Sequence, residues 1–243
     1  MRLALHLLIG LCVTLFVYPL RSPLQRQRIR QRWSSRLLAI VGLRLEHEGE
    51  RVQPGCLLVA NHVSWLDIFV VNALAPAAFV SKAEVRNWPL IGVLAARNET
   101  VFLMRGSRGH ARIINAEVGA ILDAGRNVAL FPEGTTTDGS HVLHFHAALL
   151  QPAVESGHSV QPVAISYLDA QGRHSLAPAY AGDTSLIECL MAIVGSRALI
   201  ASVSVGSPLP TCNGLHRKEV ARQARETIVA HVSRHAGQVE RHH

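Results

Sequence analysis

The stretch Cys56-Leu57-Leu58-Val59-Ala60-Asn61-His62-Val63-Ser64-Trp65-Leu66-Asp67-Ile68-Phe69-Val70-Val71-Asn72-Ala73-Leu74 decides how this chain folds. Residues 56–60 form a continuous apolar run of strand length, as expected where both faces of a sheet are covered. Residues 65–74 read as a helix. Between them the chain turns polar at Asn61 and His62, and Asp67 follows five residues after the histidine. A buried strand that empties into a helix through polar residues is the opening of an α/β unit.

The same alternation continues along the chain. Short apolar runs recur at 77–81, 100–104, 127–131, 159–167 and 198–205, separated by helical stretches at about 88–97, 109–124, 144–155 and 184–194. A long polar helix over about 215–235 closes the sequence. The pattern predicts an α/β fold with a mainly parallel sheet and flanking helices. In such sheets ligands collect beyond the carboxyl ends of the strands. The polar residues that interrupt four successive runs there are Asn61-His62, Ser81-Lys82, Arg105-Gly106 and Pro132-Glu133-Gly134.

The 243 residues are 49% hydrophobic and 17% charged, a composition that excludes a disordered chain and supports a full core. Net charge is +7, and six arginines between Arg21 and Arg36, with no acid among them, account for most of it. Leu3 to Leu20 precedes them: 18 residues with His6 as the one acid or base, about 27 Å long as a helix. That length suits a short membrane span or a deeply seated anchor. The arginines that follow would stay cytoplasmic by the positive-inside rule. A buried soluble helix is the plain alternative. Nucleic acid is a poorer partner for the basic run than lipid phosphate, because only Trp33 interleaves an aromatic. Ile29, Trp33, Leu37, Ile40 and Val41 recur at helical spacing between the arginines, an amphipathic basic helix suited to a membrane surface over residues 29–45. The four cysteines show no paired spacing, consistent with a reduced compartment.

His62 and Asp67 would lie about 140° apart within one helix, so they meet only if His62 precedes the helix and Asp67 lies inside it. Ser64-Trp65-Leu66-Asp67 has the form of a capping box with Ser64 at the N-cap. Asp67 either satisfies backbone N–H groups there or orients the imidazole, leaving the other ring nitrogen free as a base. Arg105, at a strand end before Gly106, suits a phosphate or carboxylate clamp. Pro132 and Gly134 make a tight turn that should expose Glu133. His141, His144 and His146 suggest a metal site only weakly, without carboxylate or cysteine company.

These residues carry a resemblance to the glycerolipid acyltransferases of the 1-acylglycerol-3-phosphate acyltransferase type. Asn61-His62-Val63-Ser64-Trp65-Leu66-Asp67 resembles that family's N-H-x-x-x-x-D block, Phe102 to Arg105 the end of its second block, and Phe131-Pro132-Glu133-Gly134-Thr135 its third. Pro162 resembles the fourth, and Lys82-Ala83-Glu84 and Pro89-Leu90-Ile91-Gly92 also fit. The resemblance implies acyl transfer from a thioester, acyl-CoA or acyl carrier protein, to a lysolipid hydroxyl. His62 would be the base and Asp67 its partner. Arg105, Glu133, Gly134 and Thr135 would hold the acceptor, with no cofactor and no metal. The first 48 residues would form the membrane anchor and basic helix, and 49–243 the acyltransferase domain. The expected location is the cytoplasmic face of the bacterial inner membrane, with residues 3–20 as anchor.

Three positions depart from the family pattern. Glu99 stands where the second block opens with glycine, Met104 where an aspartate precedes the arginine, and Thr136 where the third block continues with arginine. The commonest acceptor of the family, 1-acylglycerol-3-phosphate, would give phosphatidic acid. The missing cation at Thr136 leaves room for another lysolipid, such as lyso-ornithine lipid, whose amine would need an acid: Glu133 or Glu99. Readings of other kinds are a membrane-tethered lipid-binding protein without catalysis and a thioesterase using the same base on water.

Overall fold

The computed structural model describes residues 2–87, 95–103, 108–196, 198–212 and 215–236. Its centre is a seven-stranded sheet, strand order β1-β7-β6-β2-β5-β3-β4. The strands are β1 (Leu43–Gly49), β2 (Leu57–Ala60), β3 (Ala77–Lys82), β4 (Val101–Leu103), β5 (Asn127–Leu130), β6 (Val160–Asp169) and β7 (Leu199–Val205). All neighbours run parallel except β6 and β7. The sheet is therefore mainly parallel, with β1 and β7 reversed at one side.

β2 lies in the middle and is buried throughout, because helices cover both of its faces. Leu58 and Ala60 point to one face, Leu57 and Val59 to the other, by the two-residue period of a strand. On the first face pack α2 (Pro23–Ile40), α3 (Asp67–Leu74) and α6 (Leu186–Gly195). On the second pack α4 (Arg108–Asp123), α5 (Gln151–Ser156) and α7 (Arg217–Ala236). α1 (Arg2–Cys12) continues through a π-helical and a 3-10 turn, and the whole of Arg2–Leu20 is long and apolar enough to cross a membrane by length and composition.

Two expectations about the N-terminal third need correction. The basic helix ends at Ile40, where Gly42 takes a left-handed conformation (φ +80°), and the next residues form β1 instead of prolonging the helix. The Leu43-Leu45 alternation carried this strand signal. β1 pairs with β7 along its length, so a domain boundary at 48/49 falls inside the sheet. The apolar face of α2 is also not presented to a membrane. Leu37 and Leu38 lie in the core, and Gln31 Nε2 donates to the carbonyls of Ala73 and Leu74 at the end of α3. Arg30 is buried as well: it donates to the Asn98 carbonyl at 2.7 Å and pairs with Glu99 at 3.6 Å. Arg21, Arg28, Arg32 and Arg36 remain exposed.

Candidate active site

β6 is long and β2 short. Ala60 pairs with Val163, so residues 164–169 of β6 overhang the carboxyl end of β2. Asn61 extends the ladder into this overhang with its side chain. Its Nδ2 donates to the Ile165 carbonyl, and its Oδ1 accepts from the Ile165 N–H, at 2.9 and 2.8 Å. This pair of hydrogen bonds to a neighbouring backbone fixes where the chain turns out of the sheet.

His62 comes next and is held on every side. Its N–H donates to Glu133 Oε1 (2.8 Å), and its carbonyl accepts from the Thr137 N–H (2.8 Å). Its ring lies flat against Phe131, with centroids 4.1 Å apart and planes 10° apart. Its Nδ1 sits 2.8 Å from Asp67 Oδ2. Asp67 opens α3 and is completely buried. Besides the imidazole, Oδ2 accepts the N–H groups of Val63 and Ser64, while Oδ1 accepts the Tyr167 hydroxyl at 2.7 Å. Asp67 thus makes both kinds of contact at once: it satisfies the turn's N–H groups and also engages the ring. The capping box is half formed. Asp67 reaches back to the Ser64 N–H, but the Ser64 hydroxyl accepts from Leu66 rather than Asp67.

With Nδ1 turned to a carboxylate that needs a donor, the neutral ring carries its proton there and leaves Nε2 as an acceptor. The side chain is about one-fifth exposed, which leaves one side of the ring open to a substrate. The arrangement can take a proton from a hydroxyl or a water.

Tyr167 went unrecognised in the sequence. It shares the period-two face of Val163 and Ile165, and a tyrosine on a buried apolar face requires a partner for its hydroxyl. Burial, reinforced by the Asp67 charge, pushes its pKa well above the usual tyrosine value, so it remains a donor.

Glu133 is placed differently from expectation. The turn at Pro132 and Gly134 does form, with Gly134 at φ +70°, but Glu133 is turned inward and buried. Its Oε1 takes the His62 N–H and its Oε2 the Leu143 N–H (2.7 Å), so it ties the histidine to the 141–146 loop. Burial raises its pKa, partly offset by these two N–H donors. Thr135 is exposed at the same turn, and the Thr136 hydroxyl donates to the Tyr180 carbonyl. Arg105, Met104 and Pro89-Leu90-Ile91-Gly92 lie outside the described residues.

Glu99 is remote from this site. It precedes β4 and pairs with Arg126, just before β5, whereas Phe131 and Glu133 follow β5. The length of that strand, about 16 Å from residue 126 to 131, separates Glu99 from His62. It cannot serve as the acid for an acceptor amine. Glu99 also has φ +64°, a left-handed conformation that glycine adopts without strain.

A partly exposed histidine held by a buried aspartate stands at the carboxyl end of the central strand of an α/β sheet, an arrangement of the class suited to proton transfer. The sequence model of the Acyltransferase family matches residues 44–166, and the chain belongs to that family. It is 43% identical over 203 residues to a lyso-ornithine lipid O-acyltransferase of Pseudomonas aeruginosa, covering 84% of this chain and 78% of that one. It is 40% identical over 163 residues to a 1-acyl-sn-glycerol-3-phosphate acyltransferase of Neisseria gonorrhoeae, covering 67% of this chain and 64% of that one. The crystal structure of the 1-acyl-sn-glycerophosphate acyltransferase PlsC from Thermotoga maritima shares the fold, with a TM-score of 0.66, 20% identity, and coverage of 99% and 96% of the two chains.

Proposed function

We propose that this chain is an O-acyltransferase that moves a fatty acyl group from acyl-CoA or acyl carrier protein to the free hydroxyl of a lysolipid. The observation that carries the reading is the His62 ring, tethered through Nδ1 to Asp67 and about one-fifth exposed. Nε2 takes the hydroxyl proton as the oxygen attacks the thioester carbonyl. The tetrahedral intermediate collapses, the thiolate leaves, and the imidazolium returns the proton to it. Asp67 holds the ring in position and stabilises its charged form. No cofactor or metal has a part in these steps.

The acceptor we favour is lyso-ornithine lipid, on the strength of the relatives and of Thr136 and not of an acid for its amine, since Glu99 is remote and Glu133 is occupied by two N–H groups. The likeness to the Pseudomonas enzyme of that name is higher and longer than that to the Neisseria enzyme, and Thr136 replaces a cation that a phosphate head group would use. The second reading is 1-acylglycerol-3-phosphate, giving phosphatidic acid, supported by the Neisseria relative and by Arg105 as a phosphate clamp. The enzyme would work at the cytoplasmic face of a bacterial inner membrane, anchored by residues 3–20. The test is incubation of purified protein with radiolabelled acyl-CoA or acyl carrier protein and each lysolipid in turn. Label entering ornithine lipid at a kcat/KM at least tenfold above that for phosphatidic acid supports the first acceptor; the reverse ratio selects the second. Release of free fatty acid alone would identify a thioesterase, and no reaction with either donor a binding protein.

A further inference from the structure

α6, Leu186–Gly195, is apolar on the side that faces away from the protein. Cys189 and Ile193 seat it on the core. Ile187, Met191 and Val194 lie on the opposite arc of the helix and are 74%, 67% and 60% exposed, with Leu186 at 48% beside them. The acid in this helix, Glu188, accepts the Ser185 N–H in a capping box and so is turned back to the helix start. A surface helix of a soluble domain normally turns a polar face outward; one that is apolar all round is covered by something.

Three observations identify the cover as a lipid bilayer. First, α6 sits on the same sheet face as α1 and α2. A run of ring contacts crosses that face, from His6 to Trp33 (4.7 Å), Trp33 to Phe69 (5.7 Å) and Phe69 to Trp65 (5.8 Å), ending beside the catalytic loop. Leu5, Leu7, Leu8 and Ile9 of α1, which packs on this face through Leu3, are exposed as well. Second, Arg28, Arg32 and Arg36 of α2 are exposed, a charge complement to acidic head groups. Third, the segment leading into α6 is bound to the active site: the Tyr180 N–H donates to the Val63 carbonyl, and the Thr136 hydroxyl donates to the Tyr180 carbonyl.

We infer that α6 is a second membrane contact, inserted by Ile187, Met191 and Val194 into the acyl region of the bilayer, which holds the His62 site against the surface that carries its amphiphilic acceptor. This rests on the lysolipid reading above only for the acceptor; the contact itself is tested without turnover. Full-length protein carrying Cys12→Ser, Cys212→Ser and Met191→Cys is labelled with an environment-sensitive fluorophore and mixed with phosphatidylethanolamine–phosphatidylglycerol vesicles. A probe at Glu226→Cys, on α7 across the sheet, is the reference. The Met191 probe should shift to the blue and be quenched by spin-labelled acyl chains, while the Glu226 probe stays open to aqueous iodide.

A Met191 probe equally open to iodide with the protein bound to vesicles overturns the inference. So does one shielded before vesicles are added, which would mean a second copy covers α6. In unlabelled protein, Ile187→Glu with Met191→Glu should slow acylation of vesicle-embedded lysolipid at least tenfold and leave a water-soluble short-chain acceptor unaffected. Equal loss on both acceptors would also overturn it. Failure of the lysolipid reading would appear separately, as absent transfer with lipid quenching intact.

Discussion

His62 is fixed by its N–H, its carbonyl, its ring face and its Nδ1, and only Nε2 is left for chemistry. Replacing it removes the base without disturbing Glu133 or Thr137, which bind backbone atoms. His62→Ala should therefore retain the fold by circular dichroism and lose transfer to background. Asp67→Asn keeps the size of the side chain but gives up one of two acceptor oxygens among four donors, and should lower kcat by roughly a thousandfold or more. Near-normal turnover in His62→Ala would falsify the base assignment. Tyr167→Phe tests positioning. Without the hydroxyl, Asp67 loses its donor on Oδ1 and its hold on the imidazole loosens. kcat should fall while KM for the acceptor and the melting temperature stay put; a loss of kcat matched by a lowered melting temperature would reduce Tyr167 to packing.

At the scale of elements, Glu99 joins the turn before β4 to α2. Glu99→Gly would relieve a left-handed non-glycine conformation, a gain of about 1 kcal/mol. It would also strip the carboxylate from buried Arg30, a partner 3.6 Å away and 27% exposed, a loss of roughly 1.5–3 kcal/mol. The loss is the larger, so the variant should melt several degrees lower, with its preference between acceptors unchanged. An altered preference would place Glu99 near the site after all. The far end of α7 makes a separate prediction. His231 is 2% exposed, and burial first, then His235 and Arg234, push its pKa down to about 4. The unfolded chain binds this proton near pH 6.5 and the folded chain only near 4, so folding is favoured fully above about 6.5 and less as pH falls toward 4. The loss is on the order of 3 kcal/mol. Denaturant midpoints for His231→Leu should be flatter over that window than for the parent chain; parallel curves would assign the acid sensitivity elsewhere.

For the molecule as a whole, the N-terminal apolar segment can be removed but α2 cannot. Cutting after Arg21 leaves the Ser22–Gln25 capping box and the buried residues Arg30, Ser34, Leu37 and Leu38 in place. The shortened protein should fold and leave the membrane fraction, with residual binding to acidic vesicles through the exposed arginines. Raising salt from about 0.1 to 1 M shortens the screening length from roughly 10 to 3 Å and should weaken that residue of binding. Complete sedimentation at the higher salt would show that residues 2–20 are not the main anchor. A cut after Arg36, by contrast, should cost the fold itself, since it removes two of those buried side chains, Arg30 and Ser34, and the helical turns that hold Leu37 and Leu38 in the core.

What the sequence determined was periodic or local. Six of the seven strands show as apolar runs, because a strand buried on both faces needs nearly every residue apolar. His62 and Asp67 are five residues apart, so their meeting follows from one turn at a helix start. Two local signals were present and went unread: Gly42 as a helix stop, and the Leu43-Leu45 alternation of an edge strand with charged residues between. The rest was decided by the tertiary structure, because it depends on which distant segments lie side by side. Tyr167 reaches Asp67 across 100 residues only because β6 runs past the end of β2. Glu133 turns inward because two N–H groups, one of them on His62, await it there. Glu99 belongs to the opposite end of the sheet, and Arg30 to an internal ion pair, because charge and turn propensity are local properties while burial is set by the packing of the whole chain.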